Sequence, residues 1–204
     1  MKRILLISLS FIIYTLSFIS SAHAESAKSI LDKAAATVSN PSGVQAQFQM
    51  ISKQFGSTSG TISIKGTKFH ASTPQAIIWF DGKTQWTYMK QNDEVNVSNP
   101  SEAELQAINP YNFINIYKKG YKLSSKKMGS SYEVHLKSTD KKRKLQEMYI
   151  IVDQKSYHPT HVKMMQNGKW SVVLISGLKS TALSDDMFQF NAKDFPKAEV
   201  IDLR

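Results

Sequence analysis

Cysteine is absent from the 204-residue sequence. Its absence excludes disulfide bonds, thiolate metal sites and a thiol nucleophile, and it leaves no cysteine for lipid attachment at a bacterial signal junction. The sequence also lacks a G-x-S-x-G nucleophile elbow, and beyond residue 24 no segment is apolar for long enough to span a membrane. We therefore expect a non-enzymatic protein, with no catalytic residue, no cofactor and no metal site.

Acidic residues are also few, with 16 Asp and Glu against 26 Lys and Arg and a formal net charge of +10. This excess favours contact with anionic surfaces or acidic partners, although it says nothing about the fold. Basic and aromatic residues do not interleave on a recognisable nucleic-acid-binding motif, so nucleic acid is not an expected partner.

The N-terminus carries the pattern of a secretory signal. A charged start, Met1-Lys2-Arg3, precedes an apolar stretch at 4–19, and Ala22-His23-Ala24 supplies the small residues that a signal peptidase recognises. We expect residues 1–24 to be cleaved and residues 25–204 to form one domain. Subtracting the two basic residues of the signal leaves that domain with a formal net charge of +8. The alternative, a retained membrane anchor, usually needs about 20 apolar residues.

Two hydrophobic periods follow one another along the rest of the chain. Residues 25–38 are apolar at helical spacing, and the turn-forming residues 39–43 end this pattern, which predicts an amphipathic helix. From Val44 onward apolar residues recur at every second position, the period of a half-buried strand. Turn signals separate the strands, of which Asn167-Gly168 is the strongest hairpin signal. The pattern predicts an antiparallel sheet that curls on itself.

A helical insertion at residues 101–117 interrupts the two-residue period. Ser101 is a plausible N-cap with Glu104 three residues on, and apolar residues follow this capping box. An apolar helical segment in a β protein needs a surface to cover. We therefore expect the insertion and the N-terminal helix to close the open mouth of the curled sheet.

A segment at residues 79–88 resembles the D-G-K-x-x-W-x-Y core of the LolA family. It runs Trp79-Phe80-Asp81-Gly82-Lys83-Thr84-Gln85-Trp86-Thr87-Tyr88 and is followed by Glu94-Val95-Asn96-Val97. A strand pair at 60–69, the insertion at Asn109-Pro110 and closing segments at 188–190 and 200–202 occur in the same order as in that family. The resemblance covers nearly all of residues 25–204.

Resemblance to the LolA family implies a mainly β fold with a few helices (α+β). In this fold an incomplete, strongly curved antiparallel β-barrel, or half-barrel, carries a helical lid over an apolar cavity. It also implies a carrier in the periplasm of a Gram-negative bacterium, which holds the acyl chains of lipoproteins and takes them from the inner to the outer membrane. The implied partners are lipoproteins, an inner-membrane ABC-type lipoprotein-releasing transporter and an outer-membrane receptor, and we expect a monomer.

Two other functions remain open at this stage. A periplasmic binding protein for another lipid or apolar ligand would use the same cavity, and a secreted hydrolase on a β scaffold is the weaker rival. The sequence also departs from the family at one position. Members often carry an arginine, followed by proline, after the strand that corresponds to 62–65, and this arginine is thought to hold the lid closed. Residues 65–69 contain Lys65 and Lys68 but no arginine, so either a lysine replaces this contact or packing alone holds the lid.

Three sets of residues are candidates for function. Eleven apolar residues are assigned to the acyl-chain cavity on the concave side of the sheet: Phe48, Met50, Ile62, Ile64, Phe69, Ile78, Phe80, Trp86, Tyr88, Met148 and Ile150. Five residues are assigned to the lid: Leu105, Ile108, Phe113, Ile114 and Ile116. A basic run at an expected hairpin tip, Lys141, Lys142, Arg143 and Lys144, is either a solvated turn or a docking patch for an acidic partner or an anionic membrane. Taken singly, each apolar residue would fit an ordinary core, so the assignment depends on the resemblance.

Overall fold

The computed structural model describes residues 25–52, 56–101, 104–105 and 116–204. Helix α1 spans Ala27–Val38, and two short 3₁₀ helices span Asp185–Phe188 and Ala192–Asp194. The strands are β1 (Val44–Ser52), β2 (Gly56–Lys65), β3 (Lys68–Ser72), β4 (Ala76–Phe80), β5 (Gln85–Met89), β6 (Glu94–Ser98), β7 (Tyr121–Met128), β8 (Ser131–Ser138), β9 (Leu145–Asp153), β10 (Pro159–Gln166), β11 (Lys169–Ser180) and β12 (Glu199–Asp202). None of the helices in the described part of the chain has the length and apolar character needed to cross a membrane.

All twelve strands belong to one open, curled sheet, in the order β12-β6-β5-β4-β3-β2-β1-β11-β10-β9-β8-β7. Neighbouring strands pair antiparallel, except that β12 runs parallel to β6. The pairing of β1 with β11 joins the first six strands to the next five. The predicted fold class, a mainly β protein built on a curled sheet, is confirmed.

Helix α1 forms where the helical period predicts it. The hydroxyl of Ser26 caps its start by accepting a hydrogen bond from the backbone N–H of Ser29 at 3.1 Å. The buried residues of α1 lie three and four positions apart, on one side of the helix: Ala27, Ile30, Leu31, Ala34 and Val38. This side packs over β7 and β8. Burial stabilises the packing by about 1.5–3 kcal/mol for each large aliphatic side chain.

The two faces of the sheet are covered by different segments. Helix α1 covers part of one face, which we call the inner face, and the main hydrophobic core lies there. Residues 181–198, which we call the C-terminal arm, cross the opposite, outer face over β3 and β4. The arm buries Phe188 completely, and Phe190 and Phe195 each lie 5.5 Å from the ring of Trp79. The chain therefore builds a second, aromatic cluster on the outer face of the sheet.

Candidate functional site: the inner face of the sheet

Nine of the eleven residues assigned to the cavity share the inner face. Cross-strand partners lie on the same face of a sheet, and the pairing links Ile62 to Ala46 and Ala71 and then Ala71 to Ile78. A second row of cross-strand partners on the same face links Ile64 to Phe69 and Phe80. The nine residues are Phe48, Met50, Ile62, Ile64, Phe69, Ile78, Phe80, Met148 and Ile150.

Burial divides the inner face into a closed and an accessible part. Six of the nine residues are buried, and each of these is at most 4% exposed: Ile62, Ile64, Phe69, Phe80, Met148 and Ile150. Five apolar residues packed against this core are only half-buried, and we call them the open floor: Phe48, Met50, Ala71, Ile78 and Met164. The buried residues hold the sheet together, whereas the open floor presents the apolar surface that a ligand could contact.

Gly60 shapes the open floor although the sequence patterns did not single it out. A Cβ atom on Gly60 would overlap the carbonyl oxygen of Ser72 and would lie 3.2 Å from Cε1 of Phe48. The missing side chain therefore lets β3 approach β2 closely and lets the Phe48 ring lie across Gly60. A glycine inside a strand pattern is the signal that could have predicted such a close approach.

Trp86 and Tyr88 do not lie on the inner face, so their assignment to the cavity is corrected. Trp86 pairs with Trp79, and Tyr88 pairs with Ile77, which places both on the outer face. The ring of Tyr88 lies 4.6 Å from that of Phe195 in the C-terminal arm. The physical reason is the register of the β4–β5 hairpin, in which Phe80 and Ile78 face Gln85 and Thr87.

A known protein family matches most of the chain. Residues 16–169 match the model of the family described as outer membrane lipoprotein carrier protein LolA. The chain belongs to the LolA family. The resemblance expected from the D-G-K-x-x-W-x-Y segment is thereby confirmed.

The solved structures to which the chain is similar share little sequence identity with it. A conserved protein of Thermus thermophilus is 13% identical with a TM-score of 0.58, and the alignment covers 86% of this chain and 98% of that one. A LolA superfamily protein of Nitrosomonas europaea is 15% identical with a TM-score of 0.42, covering 82% and 99%. The lipoprotein LppX of Mycobacterium tuberculosis is 10% identical with a TM-score of 0.42, covering 78% and 98%. No curated protein sequence matches the chain significantly.

The lid assignment of this LolA-family chain falls partly within the described residues. Leu105 is half-buried and packs against the main core, and Ile116 is buried in it. The other three lid candidates, Ile108, Phe113 and Ile114, lie outside the described residues.

A polar contact joins α1 to the last residue of the insertion. The hydroxyl of Tyr117, a residue only 4% exposed, donates a hydrogen bond to Oδ1 of Asp32 at 2.5 Å. Burial, together with this bond, raises the pKa of Tyr117, so the phenol remains a neutral donor. Hydrogen bonds from Lys28 and Tyr117 lower the pKa of Asp32. Movement of Tyr117 away from α1 would therefore have to break a charge-assisted hydrogen bond.

The two lysines at the position of the family's arginine contact the C-terminal arm. Nζ of Lys65 lies 3.1 Å and Nζ of Lys68 lies 3.3 Å from Oδ1 of Asp185. Lys65 also donates to the backbone carbonyl of Leu183 at 2.8 Å. The hydrogen bonds that Asp185 accepts from Lys65 and Lys68 lower the pKa of its carboxyl group. In the described structure both lysines thus help to fasten the arm on the outer face, opposite the face that α1 covers.

The basic run forms the loop between β8 and β9. Lys141, Lys142 and Lys144 are exposed. Arg143 instead folds back, with its guanidinium carbon 4.9 Å from the centre of the Tyr121 ring and Nη1 donating to the carbonyl of Lys119 at 3.4 Å. Only the three lysines are therefore presented to a partner, while Arg143 has an internal role.

At β5 and β6 the inner face changes from apolar to polar. Gln85 pairs with Ser98, and Thr87 pairs with Asn96, so these four residues form a polar stripe on one face. Nε2 of Gln85 donates to Oγ1 of Thr87 at 3.0 Å. Oε1 of Gln85 is buried and has no hydrogen-bond partner in the described structure. Nowhere in the described ranges do three His, Asp or Glu side chains gather closely enough to hold a metal ion.

Proposed function

We propose that the protein is a periplasmic carrier that binds the acyl chains of lipoproteins against the open floor of the inner face. The observation that carries this proposal is a group of half-buried apolar side chains on the inner face of a LolA-family sheet. A fully packed core would bury Phe48, Met50 and Ile78 as completely as it buries Ile62 and Phe69. Their partial exposure leaves apolar surface that an acyl chain would cover.

The binding free energy of an acyl chain fits a carrier that releases its cargo better than a protein that stores it. Burial is worth about 0.8 kcal/mol for each CH₂ group, so enclosing about 15 groups would contribute on the order of 12 kcal/mol before ordering costs. That gross value corresponds to about nanomolar affinity. A carrier must release its cargo, and incomplete coverage of the chains keeps the net affinity below this value. Transfer of the lipoprotein would then run in one direction, because an energised inner-membrane transporter loads the carrier. An acceptor that binds the lipoprotein more tightly, such as an outer-membrane receptor, would unload it.

The N-terminal segment supports the proposed location. Removal of residues 1–24 as an export signal would leave Glu25 as the first residue, and Glu25 is held in place in this structure. Its carboxylate lies 2.7 Å from Nζ of Lys33 and accepts a hydrogen bond from Tyr157 at 2.9 Å. The hydrogen bond from Lys33 lowers the pKa of Glu25 to about 2. A monomer that starts at this residue would therefore keep the N-terminus of α1 anchored.

A release assay tests the carrier proposal. The purified protein is incubated with spheroplasts that hold newly made lipoproteins, and lipoprotein in the supernatant is measured. We expect a soluble one-to-one complex with the unmodified protein and a loss of at least about tenfold with Phe48→Asp, because a carboxylate would be buried under the acyl chain. Ile51→Asp is the matched control, since Ile51 lies on the outer face of the same strand and is 46% exposed. Equal release by both variants would contradict the assignment of the open floor.

The three exposed lysines of the β8–β9 loop are proposed to dock on an anionic membrane during transfer. Replacing Lys141, Lys142 and Lys144 by Gln is expected to slow transfer to acceptor membranes severalfold at low salt and to have little effect at high salt, where surface charges are screened. Replacing Lys83, Lys193 and Lys197 by Gln removes the same charge elsewhere and serves as the control. Unchanged transfer with the loop variant would remove the docking role while leaving the carrier proposal intact.

Binding of another lipid is the second candidate, because an apolar floor does not by itself select lipoproteins. Mass spectrometry of ligands co-purified from the native host separates the two candidates. Free glycerolipid as the main ligand, together with no lipoprotein release, would favour the general lipid-binding protein.

A further inference from the structure

Gln85 is the polar group that the inner face leaves unsatisfied. The residue is only 8% exposed, and its Oε1 atom lacks a donor in the described structure. The large majority of buried side-chain oxygens in native structures are paired, and an exception is explained when a partner outside the chain, such as a ligand or an ordered water, supplies the donor. Turning the amide would leave its NH₂ group without an acceptor instead, so one polar group of Gln85 is unpaired in either orientation.

The polar stripe adjoins the open floor. Thr87, which accepts the hydrogen bond of Gln85, pairs across β4–β5 with Ile78 of the open floor. On its other side β6 carries Ser98, from which the chain continues into the insertion at 101–117. A ligand whose apolar part lies on Ile78 would therefore bring its polar part towards Thr87 and Gln85.

The two asparagine amides of this region already donate hydrogen bonds. Asn96 donates to Oε1 of Glu94 at 2.7 Å, and Asn92 donates to Oε2 of the same carboxylate at 3.0 Å. The amide nitrogen of Gln85 is used by Thr87. With the amide in the orientation of this structure, Gln85 thus offers a ligand one buried acceptor, which needs an N–H or O–H donor.

We propose that Gln85 determines selectivity by accepting a hydrogen bond from a backbone amide N–H next to the acylated residue of the cargo. This inference rests on the proposed function. Acylated peptides carry amide N–H groups beside their acyl chains, whereas the ester groups of glycerolipids contain only acceptors. A site that supplies a buried acceptor discriminates strongly against a ligand without the matching donor, because the acceptor then stays unpaired. Gln85 would in this way favour lipoproteins over membrane lipids with the same acyl chains.

A pair of lipopeptides tests this inference. One is an N-acyl-S-diacylglyceryl-cysteinyl peptide, and the other is the same compound methylated at its first two amide nitrogens. Dissociation constants are measured for the delipidated protein and for Gln85→Leu. For the unmodified protein we expect N-methylation to weaken binding by about tenfold, the scale of one buried hydrogen bond. For Gln85→Leu we expect the two lipopeptides to bind alike.

Controls separate this inference from the carrier proposal. Gln49→Leu makes the same substitution at an exposed position on the outer face of β1 and should keep the tenfold difference. Gln85→Met, closer in shape, replaces the leucine variant if that variant does not fold by circular dichroism. An N-methylation effect of equal size with and without Gln85, or no effect in either protein, would overturn the inference. Failure of the unmodified protein to bind either lipopeptide would contradict the carrier proposal instead.

Discussion

The outer face of the sheet carries aromatic rings on both of its halves, but the described part of the chain covers only one half. On the β3–β6 half the C-terminal arm packs over Trp79, which is 7% exposed and has Phe190 and Phe195 against its ring. On the β8–β11 half no element of the described chain lies over Tyr149 and Trp170, which remain half-exposed. The same residue type therefore belongs to a core in one half and to a surface in the other.

Rings on the uncovered half are organised by neighbours within the sheet. His135 stacks on Tyr149 with 4.4 Å between ring centres and an angle of 6°, and Nζ of Lys163 lies 4.4 Å above the Trp170 ring. Glu147 accepts hydrogen bonds from His135 at 2.7 Å and from Tyr149 at 3.0 Å. Cross-strand contacts of this kind typically contribute about 0.2–1 kcal/mol each. Register thus decides which face a ring occupies, whereas a separate segment decides whether the ring becomes part of a core.

The largest expected effect comes from replacing one tryptophan in each half. Trp79→Ala removes the ring on which the arm packs, so we expect a loss of about 3–5 kcal/mol in the free energy of unfolding. Trp170→Ala removes a half-exposed ring whose main partner is Lys163, and we expect a loss of about 1 kcal/mol or less. Urea denaturation followed by circular dichroism measures both values. Similar losses for the two variants would mean that the arm does not build a core.

The strands, and the alternation of inner-facing and outer-facing residues along them, were largely predictable. Burial of every second residue leaves a two-residue period in the sequence. The placement of Trp86 was wrong because alternation relates residues within a strand but not between strands. Gly82-Lys83 lies at the tip of the β4–β5 hairpin, and Asp81 N–H donates to the carbonyl of Thr84 at 3.2 Å. Counting outward from this two-residue turn pairs Trp79 with Trp86, so the turn contained the information that alternation lacked.

Other features of the site could not be predicted from local patterns. The Tyr117–Asp32 hydrogen bond joins residues 85 positions apart, and the position of the C-terminal arm depends on contacts such as those of Asp185 with Lys65 and Lys68. The unpaired oxygen of Gln85 likewise becomes visible only when the surrounding strands are in place. These are tertiary arrangements, in which the sequence offers the residue types but no spacing that pairs them.

A smaller effect is expected from the pH dependence of the covered half. His70 lies on the outer face beside Trp79, with 5.7 Å between the ring centres, and burial lowers the pKa of its imidazole. The folded protein therefore binds a proton at His70 less readily than the unfolded chain, whose histidine has a pKa of about 6.5. Stability contributed by neutral His70 is fully present above that value and is lost as the pH falls towards the lowered pKa of the folded state.

We expect the urea midpoint of the unmodified protein to fall between pH 7 and pH 5. The midpoint of His70→Phe should fall less, since a phenyl ring keeps the tilted ring contact with Trp79 without titrating. Carboxylates with lowered pKa, such as Glu25 at about 2, lose their contribution below about pH 4.5 and so act outside this window. His161→Gln is the control, because His161 is exposed on the uncovered half and its removal should leave the pH dependence unchanged. Identical pH profiles for His70→Phe and the unmodified protein would show that the covering of this half does not extend to His70.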